Sequence, residues 1–251
     1  MTTHENQSEK IKTKEDFFKA QQLSLEQIYA KGMADFVKKI PNLSEAFTSH
    51  DNCIYCIDEG TPGKNHSAGS GILRDKDEVL DAFRKAGVSK ITSHDGCGAA
   101  VLFAKQNGLD PSNADEYAKQ HAQTLAQKLG VPYEHISFEK MKRPADFHIA
   151  RITYYDNTGQ FDYSRVEGLP PGFIISRGIQ RMEDSLAEAQ VAFGIATGHH
   201  GFEELINDKN PFVLSIIAKD EEELKQLKDE IIKSGKFSDS RILIDGFIMP
   251  V

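Results

Sequence analysis

Apolar and polar residues are distributed along the chain in segments that predict helices and short strands. Residues 14–39 place large apolar side chains at roughly helical spacing, which predicts an N-terminal helical arm. Residues 53–57 form a short apolar run rich in β-favouring residues, which predicts a buried strand. A helix that ends at Gly87 and a second strand at 88–93 follow. Strand, helix and strand in this order predict parallel pairing with a right-handed crossover, as in α/β folds.

The remainder of the chain continues this mixture of elements. Asp156-Asn157-Thr158-Gly159 lies between the apolar segments 147–155 and 160–164 and is typical of a β-hairpin turn. Pro170-Pro171-Gly172 is the best candidate for a domain boundary. Further helices are predicted at 98–107, 114–129, 182–197 and 221–234, and further strands at 173–176, 212–218 and 241–247.

We therefore predict an α/β fold with a mainly parallel central sheet flanked by helices. Residues 1–13 are predicted to form a disordered tail, residues 14–168 a domain that includes the helical arm, and residues 169–251 a C-terminal α/β extension. The pattern leaves two questions open. The extension either continues the first sheet or stands apart from it, and the arm packs either on its own domain or on a partner subunit.

Composition and charge narrow the class of protein. The 251 residues include 30 Lys and Arg against 38 Asp and Glu, and the net charge of −8 makes nucleic acid an unfavourable partner. No apolar run approaches the roughly 20 residues that cross a bilayer, and the polar start lacks the apolar core of a signal peptide. We therefore expect a cytoplasmic protein with no membrane partner. Three cysteines in such a chain favour metal or catalytic use over a disulfide framework.

Two short motifs place metal-binding side chains at the ends of the first two predicted strands. Cys56 and Asp58 stand two residues apart and project on the same side of the chain, and His94 and Cys97 follow the next strand. If the strands are parallel neighbours, all of these residues emerge at the same edge of the sheet. Two thiolates and one imidazole suit zinc, and three protein ligands leave a fourth position for water. A metal-bound water can ionise near neutral pH and become a nucleophile.

The motifs Cys56-Ile57-Asp58-Glu59-Gly60 and His94-Asp95-Gly96-Cys97-Gly98 resemble those of the β-class carbonic anhydrases. In that family the zinc ligands come from Cys-x-Asp-x-Arg at one strand end and His-x-x-Cys-Gly at the next. The resemblance covers about residues 15–165. It implies zinc bound by Cys56, His94 and Cys97, a likeness to the family's fold, a homodimer or higher homo-oligomer, and the reversible hydration of carbon dioxide to bicarbonate by a metal-bound hydroxide.

Asp58 and His66 are the catalytic candidates beside these ligands. The resemblance implies that Asp58 orients the hydroxide, and His66 is a candidate proton shuttle because the pKa of a free histidine is about 6.5. One departure affects Asp58. The family has an arginine that holds this aspartate away from the metal, and here Gly60 stands in its place. Asp58 is then either a partner of the hydroxide, restrained by another donor such as Lys64, His66 or Arg74, or a fourth ligand that closes the site.

Several other interpretations stay open at this point. A related zinc enzyme acts on carbonyl sulfide or carbon disulfide, and a closed site corresponds to a non-catalytic zinc-binding relative. Cys53 formally completes a structural site of three cysteines and one histidine, although Cys53 and Cys56 point to opposite faces of a strand. Ordinary buried thiols are the simplest alternative. Among the other histidines, His121 is expected in the core and His199-His200 in a polar turn.

Overall fold

The computed structural model describes residues 13–250 and contains helices and strands along the whole of that range. The predicted tail lies outside the described residues except for Thr13, which caps the first helix. The helices are α1 (Lys14–Lys31), α2 (Met33–Val37), α3 (Lys76–Lys85), α4 (Gly98–Gln106), α5 (Ala114–Leu129), α6 (Met182–Thr197) and α7 (Glu221–Lys233). The strands are β1 (Cys53–Tyr55), β2 (Asn65–His66), β3 (Lys90–His94), β4 (Tyr133–Ile136), β5 (Ile152–Asp156), β6 (Phe173–Ser176), β7 (Phe212–Ala218) and β8 (Ile242–Ile248).

The strands form two four-stranded sheets with the same internal order. The first sheet has the order β2-β1-β3-β4 and the second the order β6-β5-β7-β8, and every pairing in both is parallel. Helices flank the sheets, so the predicted α/β class is confirmed. The matching order means that the second half of the chain repeats the arrangement of the first, a repeat that the amino-acid pattern does not reveal.

The hairpin predicted around Asp156-Asn157-Thr158-Gly159 is wrong. A turn does form there, because the buried Asp156 carboxylate accepts hydrogen bonds from the backbone N–H groups of Thr158 and Gly159. The chain after it does not return as a strand, and β5 instead pairs in parallel with β6 and β7. The second sheet therefore begins at Ile152, before the boundary predicted between residues 168 and 169.

The two sheets meet along β2 and β6. The His66 N–H donates to the Ser176 hydroxyl at 2.9 Å, and that hydroxyl donates to the Lys64 carbonyl at 3.0 Å. The Ile174 N–H donates to the Ile57 carbonyl at 3.2 Å. The bonds of Ser176 join the edge strands of the two sheets, and the third bond joins β6 to the segment after β1. The strands from Ile152 onward nevertheless pair in a sheet of their own, so they do not extend the first sheet.

The N-terminal arm packs on the second sheet of the same chain. Leu25 and Ile28 of α1 are buried in one apolar cluster with Val213 and Phe247 of that sheet. Each such side chain contributes roughly 2 kcal/mol by leaving water. The predicted single run over 14–39 is interrupted at Gly32, which has a φ of 83° and ends α1.

Helix boundaries in the rest of the chain agree with the predicted ranges and with local capping residues. The predicted ranges 114–129 and 182–197 match α5 and α6. Asp75 caps α3 by accepting from the Asp77 and Glu78 N–H groups, and Asp220 caps α7 by accepting from the Glu223 N–H. Among residues 13–250, no helix combines the length and apolar character that a membrane crossing requires.

Candidate metal centre

The carboxyl end of the first sheet brings the three predicted metal ligands together. Cys56 follows β1, His94 is the last residue of β3, and Cys97 is the residue before α4. Because β1 and β3 are parallel neighbours, their carboxyl ends lie side by side. One donor atom from each of the three residues lies within 4.8 Å of the other two. The predicted convergence is confirmed.

The donor atoms are spaced and oriented as a metal site requires. The sulfurs of Cys56 and Cys97 lie 4.0 Å apart, close to the roughly 3.8 Å expected of two sulfurs bound tetrahedrally to one zinc ion at 2.3 Å. His94 Nδ1 donates to the Asp95 carbonyl at 2.8 Å, which leaves Nε2 as the nitrogen that a metal ion would bind after displacing its proton. Nε2 is buried and has no hydrogen-bond partner among the described residues. A buried nitrogen without a partner, beside two thiols, fits a metal ligand.

The surroundings of the cluster keep the Cys56 thiol protonated when no cation is present. The Cys97 thiol and burial together raise the pKa of Cys56 well above its ordinary value. The Gly69 N–H donates to the Cys56 sulfur at 3.2 Å. A metal ion therefore has to displace protons from this group when it binds.

Cys53 does not belong to this cluster. It is buried on β1, and its backbone N–H donates to the Asp51 carboxylate at 2.8 Å. Burial and Asp51 raise the pKa of the Cys53 thiol to about 11. The alternative site of three cysteines and one histidine is therefore not formed, since only two sulfurs face His94.

Asp58 is held by an arginine that the sequence analysis did not identify. Arg143 donates through Nε to Oδ1 and through Nη2 to Oδ2, each at 2.8 Å, and both side chains are buried. Burial alone would raise the pKa of the Asp58 carboxyl, but the charges of His94 and Arg143 and the two bonds from Arg143 hold it below its ordinary value. Asp58 is therefore an ionised, fixed carboxylate next to the cluster.

Gly60 explains how Arg143 reaches Asp58. A Cβ atom at position 60 would lie 2.9 Å from Arg143 Cγ and 3.0 Å from Asp58 Oδ1, closer than such atoms approach. The Gly60 N–H also donates to Asp58 Oδ1 at 2.8 Å. Gly60 thus leaves the space that Arg143 occupies.

The three donors proposed from the sequence do not restrain Asp58. Arg74 lies 3.7 Å from Asp184 on α6, and the hydrogen bonds and ion pairs of Asp58 among the described residues involve Gly60, Arg143, His94 and His148 and not Lys64. His66 is buried with Nδ1 2.5 Å from the Cys56 carbonyl and Nε2 2.9 Å from the Gly63 carbonyl. Neither ring nitrogen of His66 is free to face the cluster. Its role as a proton shuttle stays a prediction, and this placement gives it no support.

Glu59 and His148 form a second acidic and histidine group beside Asp58. The three residues have donor atoms within 4.8 Å of one another, so they too are close enough to hold a metal ion. The Glu59 carboxylate already has partners, however, because it lies 2.9 Å from His148 Nδ1 and accepts from the Ile149 N–H at 2.6 Å. These bonds fix His148 next to the cluster, a position that the sequence left undecided.

Two cavities adjoin the cluster. A small chamber of about 10 Å³ lies directly against Cys56 and Asp58. An open cavity of about 620 Å³ lies outside it and carries the side chains of Arg143, His148 and His200. The His199-His200 pair predicted in a polar turn is exposed at this cavity, directly after α6.

Other histidines take the places that their surroundings dictate. His121 of α5 is buried and its Nε2 lies 3.2 Å from the Ser70 carbonyl, as expected of a core histidine. Burial lowers its pKa to about 4, so it is neutral at physiological pH.

No protein-family model, curated protein or solved structure matches this chain. The likeness to the β-class carbonic anhydrases therefore depends on the two motifs and on the geometry described above.

Proposed function

We propose that the chain binds one zinc ion through Cys56, His94 and Cys97 and catalyses the reversible hydration of carbon dioxide to bicarbonate. The observation that carries this proposal is the two-nitrogen contact of Arg143 with Asp58. In the family that the motifs resemble, an arginine performs the same task from the position of Gly60. The site thus regains the missing group from another part of the chain.

The donor set supports zinc over harder cations. Two thiolates and an imidazole are soft and borderline ligands, whereas magnesium and calcium prefer oxygen. Bound at this position, zinc would supply a water molecule acidic enough to act as a nucleophile near neutral pH.

Asp58 is placed to orient the nucleophile and not to bind the metal. Its carboxylate is ionised and faces the chamber beside Cys56. A turn of Asp58 into the fourth ligand position would break both bonds to Arg143 and leave a buried guanidinium without a partner, which costs several kcal/mol. Asp58 therefore accepts a hydrogen bond from the reacting water and holds it in position.

Two alternatives to hydration are distinguished by the same assays. A hydrolase of carbonyl sulfide or carbon disulfide would need the same cluster and the same oriented water. A non-catalytic relative with a closed site would bind zinc but show no turnover, and the bonds between Arg143 and Asp58 argue against it. A homodimer and a cytoplasmic location stay predictions.

Metal content and hydration rate test the proposal. The purified protein is expected to hold one zinc ion per chain, and Cys97→Ser is expected to lose it, since one of three ligands is removed. Cys53→Ser is the matched control, because Cys53 is equally buried but lies outside the cluster. Stopped-flow hydration of carbon dioxide should follow the metal content of the variants.

Two results would reject parts of this proposal. If Cys97→Ser kept as much metal as Cys53→Ser, the ligand assignment would be wrong. If the zinc-loaded protein hydrated carbon dioxide no faster than buffer, the site would be a closed one or would act on another substrate, and release of sulfide from carbonyl sulfide would separate those two outcomes.

A further inference from the structure

The small chamber and the open cavity share one wall. Four residues line both spaces, namely Gly98, His148, Val191 and Ile195. A reactant that comes from the open cavity therefore has to pass between these residues to reach the cluster. The wall combines parts of both halves of the chain, since Gly98 begins α4 beside the first sheet and Val191 and Ile195 belong to α6.

Val191 and Ile195 cover the cluster from the second half of the chain. They are four residues apart on α6 and so occupy the same face of the helix. A Cβ atom on Gly98 would lie 3.3 Å from Ile195 Cδ1, so the isoleucine rests directly on the turn that follows Cys97. α6 itself packs on β5, β6 and β7 of the second sheet.

The opposite side of this wall is fixed. His148 is tied through its ring to Glu59, and its backbone N–H donates to the His200 carbonyl at 2.6 Å. Gly98 has no side chain. Only the two aliphatic side chains of α6 are left to set the width of the passage.

The two volumes differ enough to select by size. The chamber of about 10 Å³ is close to the space that one water molecule needs. The open cavity of about 620 Å³ would accept a drug-sized molecule. The restriction therefore arises at the shared wall and not at the entrance from solvent.

We infer that Val191 and Ile195 form a size-selective gate that limits reactants to molecules as small as carbon dioxide, carbonyl sulfide or bicarbonate. The inference rests on the proposed function for the identity of the reaction. Access to the cluster itself is a property of the wall and can be measured without turnover. Metal binding and the orientation of the water depend on residues of the first half.

Alkylation of the cluster cysteines tests the gate in the full-length protein treated with a chelator. Iodoacetamide is the small reagent and N-phenylmaleimide the bulky one, and mass spectrometry of peptides follows Cys56, Cys97 and Cys53 separately. Val191→Ala and Ile195→Ala should each raise the rate of the bulky reagent at Cys56, which lines the chamber, by about 10-fold more than that of the small one, the discrimination expected when two or three carbons leave an apolar passage.

Val101→Ala is the matched control. Val101 lines the open cavity but not the chamber, so the same substitution there should leave the ratio of the two rates unchanged. Cys53 reports general unfolding, because it is buried away from both cavities. Equal acceleration of both reagents, no acceleration in either α6 variant, or an equal effect of Val101→Ala would overturn the gate.

Hydration and ester hydrolysis separate this inference from the proposed function. If the gate exists, Val191→Ala should gain activity toward p-nitrophenyl acetate relative to Val101→Ala. If the wild-type protein shows the size selection in alkylation but no hydration, the gate is supported and the proposed reaction is rejected. Hydration without size selection would retain the reaction and reject the gate.

Discussion

The two sheets share one strand order but end in different chemistry. In the first sheet Ile54 pairs with Asn65 and Ile91, and in the second sheet Tyr154 pairs with Ile174 and Ser215. Two residues beyond Ile54 stands Cys56, and two residues beyond Tyr154 stands Asp156.

Ser215 takes the place of Ile91 in this comparison. His94 lies three residues after Ile91, so the residue that corresponds to His94 is Ala218, three residues after Ser215. The second sheet therefore lacks a thiol and an imidazole where the first has them.

The difference shows that the architecture and the site are separable. The second half retains the four parallel strands and the helix that follows β6. At the carboxyl end of β5, however, Asp156 begins a turn. It contributes in other ways, because α6 covers the cluster and the second sheet carries the N-terminal arm. The chemistry of the molecule depends on a few positions of the first half, and the second half supplies shape.

The largest expected effect on stability comes from the strand end of the second sheet. Asp156 accepts hydrogen bonds from the N–H groups of Thr158, Gly159 and Phe161. Asp156→Ala removes these acceptors and leaves buried N–H groups without partners, so the free energy of unfolding should fall by about 4 kcal/mol. Urea unfolding monitored by circular dichroism measures the loss.

The metal content of the folded Asp156→Ala protein should equal that of the wild type, because Asp156 is not part of the cluster. Asp156→Asn, which keeps one acceptor oxygen, should lose less stability. A folded Asp156→Ala protein without metal would contradict the separation of structure and chemistry between the two sheets.

The next largest expected effect concerns Asp58 and Arg143, which lie at the carboxyl end of the first sheet. Arg143→Met should keep the metal but slow hydration by about 100-fold, since Asp58 loses its restraint and the orienting interaction is worth about 3 kcal/mol. Stopped-flow assays of zinc-loaded protein measure the rate.

Arg74→Met is the matched control for this prediction. Arg74 is also an arginine with little side-chain exposure, but it lies near Asp184 and not near Asp58. Hydration at the wild-type rate in Arg143→Met would show that Asp58 needs no arginine, and the observation that carries the proposed function would lose its force.

The ligands were predictable from the sequence because they follow consecutive strands. Parallel pairing of β1 with β3 is enough to bring Cys56, His94 and Cys97 to one edge. Arg143 was not predictable in the same way. It lies 85 residues after Asp58 in an irregular segment, where no periodicity reports direction. The glycine at position 60 was the one signal in the sequence, and its meaning depends on the tight space that the folded structure leaves around it.

The pairing of β5 was missed for a different reason, although the later strands and helices of the second half were predicted. Asp156-Asn157-Thr158-Gly159 forms a local turn that antiparallel and parallel strands both tolerate, so turn chemistry alone does not decide the pairing. Both neighbours of β5 come later in the chain, beyond the Pro170-Pro171-Gly172 segment. In the first sheet the edge strand β4 was not predicted either, because it is short and partly exposed and leaves no distinctive pattern.

The smallest expected effect concerns acid stability, which should differ between the halves. The first half contains the buried His121, whose pKa burial lowers to about 4, whereas the histidines of residues 152–250 are the exposed His199 and His200. An unfolded histidine has a pKa of about 6.5. The stability that neutral His121 provides is therefore complete above pH 6.5 and is lost as the pH falls from 6.5 towards 4.

His121→Gln should remove this dependence, because glutamine can still donate to the Ser70 carbonyl but does not titrate. Between pH 7 and pH 4.5 the wild type should lose about 2 kcal/mol more of its unfolding free energy than the variant. Amide exchange at pH 4.5 should show the loss in α5 before it reaches β7. Equal acid sensitivity of the two proteins would mean that His121 is solvated or paired in the folded state, and the acid weakness of the first half would then have another origin.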